Sequence, residues 1–247
     1  LYFISAFLLP VIGIALGFDA INSEKNNGTM SRLLSQPIHR DTVFNGKFLA
    51  GVTTIAIMLT SIILLISGLG LSTIGVPPSS EEAFRLFLFI MLGTLYGAFW
   101  LGLAMLFSRF LNRVSTSALA TIAVWIFFLV FMLMISTFIA NTMVPINQDS
   151  ATQEIFRHIG VQITASRASP IFLFQEATTV ILAPGARTAS EILQIQQGAG
   201  SSFISSTLPL GQSLLTIWPH LVSFVAITAM LFAISYYKFI REEIRST

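Results

Sequence analysis

Few side chains in this sequence could do chemistry. It has no cysteine, which removes disulfides, thiolate metal sites and cysteine nucleophiles together. Its three histidines, His39, His158 and His220, stand far apart. His158, His220 and Met143 would together suit a soft metal, but none has a second ligand at chelating spacing, so no metal is assigned. The one Gly-Lys pair, Gly46-Lys47, has Asp41 where the first glycine of a nucleotide loop belongs and Phe48 where Ser or Thr belongs. The chain therefore lacks that phosphate cradle, as well as paired carboxylates and a Ser–Lys dyad. It reads as no enzyme, with no cofactor of its own.

The polar residues concentrate in one block, 19–47, reading DAINSEKNNGTMSRLLSQPIHRDTVFNGK. Gly28 and Thr29 mark a helix start, with Thr29 as N-cap of a helix over 30–36. Pro37 stops that helix and holds Gln36 extended. Met30, Leu33 and Leu34 share one face, while Ser31, Arg32 and Ser35 take the other. Asp41 then caps the next long helix. The result is a short amphipathic helix suited to a partner's groove. Glu24 reads either as a salt-bridge partner for Arg32 or Arg40 or as a solvated acid. Asn27-Gly28-Thr29 matches the glycosylation sequon by accident, on the wrong side of the membrane.

The elements that must hold this block are membrane helices. The 247 residues are 54% hydrophobic and 10% charged, with a mean hydropathy of +0.82. A soluble domain carries about 25% charged residues, so a water-facing globule is excluded. A net charge of +2 is too small to suggest a nucleic-acid partner. Charge-free runs place spans at about 1–18, 48–71, 86–107, 115–140 and 216–237. The first reads as a cut span, and a sixth upstream would complete the set. The spans themselves carry no charge, which argues against an ion pump or proton-coupled carrier.

Lys25, Arg32, Arg40 and Lys47, then Arg109 and Arg113, then Lys238, Arg241 and Arg245 put three segments, the C-terminus among them, in the cytoplasm of a multi-pass cell-membrane protein. The connector 72–82, with Glu81 and Glu82 and no basic residue, faces outside. So does a long region at 141–215. There Ile155, Phe156, Ile159 and Ile163 make a helical stripe, and Ser169-Pro170 opens a second helix that Pro184-Gly185 closes. Helices this apolar must lie on the bilayer surface or pack on the spans. The stretch 194–207 reads as a loop. Two G-x-x-x-G pairs, Gly13 with Gly17 and Gly93 with Gly97, offer faces for close helix packing. The first pair is expected to join two copies of the chain. The fold class is all-α, a polytopic helical bundle with amphipathic helices outside, forming one transmembrane domain over 1–247.

At Glu24, Gly28-Thr29, Leu33-Leu34, Pro37, Arg40 and Gly46-Lys47 the chain resembles the permease subunits of ABC-2 type ATP-binding cassette transporters. Ser169-Pro170, Trp218-Pro219 at the opening of the last span, and Phe239, Arg241 and Arg245 extend the resemblance, which is closest to the NosY-like branch for multicopper enzyme maturation. It implies a subunit that hydrolyses nothing itself. Two identical or similar permease subunits would pair in the bilayer and dock coupling helices on two copies of a separate ATPase, which carries the ATP and Mg. Glu24, Gly28, Thr29, Arg32, Leu33, Leu34, Pro37 and Arg40 are then the coupling residues, and the direction is export. The rival from another class is a non-transporting intramembrane scaffold or assembly factor.

Overall fold

The computed structural model describes residues 2–23, 40–111, 113–146, 152–182 and 210–241. They form α1 (Tyr2–Gly17), α2 (Arg40–Ile74), α3 (Ser80–Phe110), α4 (Val114–Ile126), a π-helical turn (Phe127–Phe131), α5 (Met132–Met143), α6 (Thr152–Ser166), α7 (Pro170–Leu182) and α8 (Leu210–Arg241). There is no strand among the described residues. Four helical rods are long and apolar enough to cross a membrane: α2, α3, α4 to α5 through the π turn, and α8. The fold is a helical, multi-pass membrane bundle. Five spans were expected; α1, at 16 residues, is apolar throughout but shorter than the four rods.

The helices outrun the expected spans, for local reasons. The connector expected over 72–82 is mostly helix, because α2 continues to Ile74 and α3 starts at Ser80. Gly75 closes α2 at φ +76°, where its N–H bonds the Leu71 carbonyl at 2.9 Å. Pro77 and Pro78 then forbid continuation. Ser79 restarts the chain with a capping box: its Oγ accepts from the Glu82 N–H at 3.2 Å, and Glu82 Oε2 accepts from the Ser79 N–H at 2.7 Å. Glu81 and Glu82 thus form the first turn of α3, where a carboxylate meets the positive helix end. Arg40 is already helical, so Asp41 lies inside the first turn of α2 and not at its N-cap position. Likewise Trp218-Pro219 falls well inside α8 instead of opening it.

α3 is the central post. Phe89, Leu92, Tyr96 and Trp100 on it are fully buried, and α1, α2, α4, α7 and α8 all pack against it. Lipid is as apolar as leucine, so burial from water cannot drive this association; close contact and polar bonds must. The glycines supply the contact. A Cβ on Gly13 would stand 2.8 Å from the Gly97 carbonyl oxygen, and one on Gly17 would stand 2.7 Å from the Ala104 Cβ. On α3, Gly93 and Gly97 receive Leu59 and Ile55 of α2 in the same way. The Gly13/Gly17 face is therefore filled inside the chain, and the expectation that it pairs two copies is corrected: α3 is already seated there.

The segment between the third and fourth rods dips back into the bundle. α6 runs antiparallel to α5, where His158 Nδ1 donates to the Val144 carbonyl at 2.7 Å and Gln162 donates to Thr137 Oγ1 at 3.2 Å. α7 returns along α3, from Phe174 beside Tyr96 to Ile181 beside Arg85. Tyr96 lies sixteen residues below the start of α3, about 24 Å along its axis at 1.5 Å per residue, so the hairpin tip at 166–169 stands near mid-height. Ser166 and Ser169 there share a cleft of about 230 Å³ with Phe128, Leu129 and Met132. The expected helices exist and, of the two expected placements, pack on the spans: α7 against α3, α8 and α1, and α6 against α5. Of the expected stripe, Ile159 and Ile163 are buried with Phe172 against them, while Ile155 and Phe156 are exposed.

Candidate coupling frame and buried polar clasp

The stretch 24–39 lies outside the described residues, and with it Glu24, Gly28, Thr29, Arg32, Leu33, Leu34 and Pro37. Arg40 opens α2. Arg241 closes α8, and Arg245 lies outside the described residues with 183–209, which includes Pro184-Gly185 and the 194–207 loop. What the structure gives is the frame that holds both ends of the 24–39 stretch. After α1 the chain turns at 18–21, and Ser108 Oγ on α3 accepts from the backbone N–H of both Ile21 and Asn22 at 3.2 Å each. Ser108 is 1% exposed. Lys47, two turns into α2, donates its Nζ to the Ala20 carbonyl. The two strands of chain that enter and leave the stretch are thereby tied to each other and to α3. Ser108 satisfies two backbone donors that the turn after α1 would otherwise leave buried and unpaired.

The same end is fastened to α8. Arg109 Nη2 donates to the Lys238 carbonyl at 3.4 Å, and the Lys238 ammonium sits 3.4 Å over the Phe110 ring. Phe44 packs on Phe232 and Tyr236 at centroid distances of 5.2 and 6.2 Å. α2, α3 and α8 therefore meet in one corner, from which α2 begins just after residue 39.

At mid-height a second polar arrangement lies inside the apolar bundle. Arg167, just before the hairpin tip closes, donates Nε and Nη2 to the two carboxylate oxygens of Glu176 at 3.0 and 2.6 Å. His220 on α8 donates Nε2–H to Glu176 Oε2 at 2.9 Å. The Glu176 side chain is 5% exposed and that of His220 is 7% exposed. Burial alone would raise the Glu176 carboxyl, but the hydrogen bonds from His220 and Arg167, and the Arg167 charge, outweigh it and hold the carboxyl at about 2. The same ion pair raises the Arg167 guanidinium. Arg85 makes a companion clamp: Nη1 donates to the Ile181 carbonyl at 3.0 Å and to Ser213 Oγ at 3.3 Å, while Nη2 reaches Glu81 at 2.7 Å. An arginine thus satisfies a helix-end carbonyl of α7.

The sequence alone leaves His158 and His220 isolated, and the structure corrects this; the expected spans carry no Asp, Glu, Lys or Arg, since Arg167 and Glu176 lie between them. Glu176 and His220 are brought into one cluster across 44 residues, and His158 is spent on a backbone carbonyl. One signal was available: Glu176 is the lone acid in an otherwise apolar 170–182 helix, and a buried acid requires a partner. Among the described residues no group of three or more His, Cys, Asp or Glu could hold a metal ion.

Apolar rods of membrane length, closely packed through glycines, define a helical membrane protein. The chain belongs to the ABC-2 family of transporter proteins, whose family model matches residues 3–244. It is similar to the probable ABC transporter permease protein NosY of Stutzerimonas stutzeri, at 31% identity over 129 residues, covering 51% of this chain and 45% of that one. The protein of the same name from Pseudomonas aeruginosa is 30% identical over 128 residues, covering 51% and 46%. The match thus spans about half the length of these curated relatives.

Proposed function

We propose that this chain is the permease half of an exporter driven by ATP hydrolysis on a separate ATPase subunit. Membership of the ABC-2 family supports the permease assignment. The observation that carries the mechanism is the double tie of the chain around 24–39: Ser108 holds the entry through Ile21 and Asn22, and Lys47 holds entry and exit together. A push on a helix at 30–36 reaches α2 and α3 at once, because the flanking residues 20–22 and Lys47 are fastened to each other and to α3. The corner and the C-terminus face the cytoplasm in this reading, which the basic residues of the loops support. The ATPase subunits meet it there, with a second permease subunit completing the pair in the bilayer.

Leu34→Asp tests this reading. A charge placed in a desolvated groove costs a few kcal/mol, so pull-down of the ATPase and substrate-linked ATP turnover should both fall by at least about tenfold. Membrane insertion should be unchanged. Undiminished ATPase binding by this variant would remove the docking claim and favour the scaffold reading.

A further inference from the structure

We infer that His220 is a proton-binding site, and that its charge state decides whether the α6–α7 hairpin stays fastened to α8. The inference does not depend on the transport reading.

The cluster contains one cation, one anion and one imidazole. Arg167 and Glu176 cancel, so with a neutral ring the buried site carries no net charge. The ring's Nε2–H is committed to Glu176 at 2.9 Å. Its other nitrogen, Nδ1, is buried and has no hydrogen-bond partner among the described residues. For a neutral imidazole this is tolerable, since Nδ1 then holds only a lone pair. A proton there changes the account twice. The site becomes net positive inside an apolar bundle, and a buried N–H faces no acceptor. The clasp answers by opening far enough for Nδ1–H to find water or a carbonyl.

Among the described residues no other group is placed to absorb that charge. From α7 the facing ionisable group is Glu176, already paired with Arg167. α3 brings Arg85, which reaches Ser213 seven residues before His220, and Tyr96, whose ring packs edge-on to Phe224 four residues after it. Arg85 is a second cation, and Tyr96 gives its hydroxyl proton to the Ala6 carbonyl. The charged residues of α2, Arg40, Asp41 and Lys47, all fall in its first eight residues, at the opposite end of the bundle from Ser213. Pro219 next to His220 removes one backbone bond from α8 at the point where the clasp attaches. The helix can therefore yield there.

The test runs from pH 8 to pH 5. Full-length chain in lipid nanodiscs carries spin labels on cysteines at two exposed positions outside the cluster, Thr164→Cys on α6 and Leu215→Cys on α8. Electron–electron resonance should give one distance population at pH 8 and a second, longer one that grows as pH falls to 5. His220→Gln retains an N–H donor for Glu176 but takes no proton, so its distance should stay at the pH 8 value throughout. His158→Gln should respond as the parent does. A parent distance unchanged from pH 8 to 5, or the same change in His220→Gln, overturns the inference. Nitrogen-15 NMR of the histidine-labelled parent checks the starting point independently of any variant. A neutral Nε2–H tautomer for His220 at pH 8 is expected, and a doubly protonated ring at that pH overturns it as well.

Discussion

The ring of Phe174 lies 4.2 Å from that of Tyr96 and within 10° of parallel. One belongs to a helix of the returning hairpin and the other to the middle of the central post. Both are fully buried, and Phe89 and Phe224 close the aromatic group around them. This stack fixes the depth of the hairpin, since a slip of one turn along α3 would move Phe174 about 5 Å from its partner.

Phe174→Ala should therefore loosen the hairpin. A buried phenylalanine cut to alanine costs about 3–5 kcal/mol, and the melting temperature of the purified protein in nanodiscs should fall accordingly. Phe156→Ala, on an exposed position of α6, should leave it within about 0.5 kcal/mol. Equal effects from the two would mean that the stack does not hold the hairpin.

Gly13→Ala and Gly17→Ala should each destabilise the single chain by about 1–3 kcal/mol through overpacking. The new methyl groups would meet α3 backbone oxygens of Gly97 and Leu101 at 2.8 Å, and backbone cannot step aside as a side-chain tip can. Gly160→Ala is the control, because nothing lies within 4 Å of its added carbon. Thermal unfolding monitored by circular dichroism reads all three. A change confined to oligomeric state, with the single chain's melting unaltered, would restore the idea of an intersubunit glycine face.

The Glu176 carboxyl gives a stability signature at acid pH. Its folded value of about 2 lies below the ordinary 4.5, so what its carboxylate contributes through Arg167 is lost as pH falls from 4.5 towards 2. Glu176→Gln should lose that contribution at neutral pH, by about 3 kcal/mol. This is the low end for breaking a buried pair, because the Arg167 side chain is 48% exposed and can turn to water. Unfolding free energies at pH 7, 4.5 and 2.5 should converge for parent and variant at the acid end. A constant gap across the series would show that the carboxylate charge is not what the clasp uses.

Orientation is tested with single cysteines in a chain that has none of its own. Cysteines at Ser80 and Ser202 should react with an impermeant thiol reagent added to intact cells. One at Ser35 should react only after permeabilisation. Labelling at position 35 from outside would reverse the topology and with it the docking side.

The sequence made the rods visible because a run of uncharged apolar residues has one physical use in a chain this long. It exposed the ends less well. Ser79 and Glu82 spell a capping box, yet the acids on 81 and 82 read as loop because they were weighed as charges and not as partners of a helix end. The hairpin's depth was hidden for a different reason. Period and polarity mark 152–182 as two apolar helices, but only the Tyr96–Phe174 stack and the Arg85–Ile181 bond, across gaps of 78 and 96 residues, say how far they enter. The clasp combines residues 9 and 44 positions apart, and no local pattern joins them. Gly13 and Gly17 were legible as a packing face, while the identity of the helix facing them was not.

The five-residue π turn at Phe127–Phe131 has a bearing on this depth. Such a turn houses one residue more than an α-helix of the same rise, and a residue is worth about 100° of rotation. Everything beyond it on α5 is thus swivelled relative to α4, and it is α5 that presents Thr137 and Val144 to the descending helix. The turn acts as an angular vernier: α4 keeps its grip on the central post while α5 is dialled round to meet the hairpin. Striking out Leu129 would restore an uninterrupted α-helix and carry Thr137 about a quarter-turn away from Gln162. The chain would keep every apolar rod and lose the alignment between them.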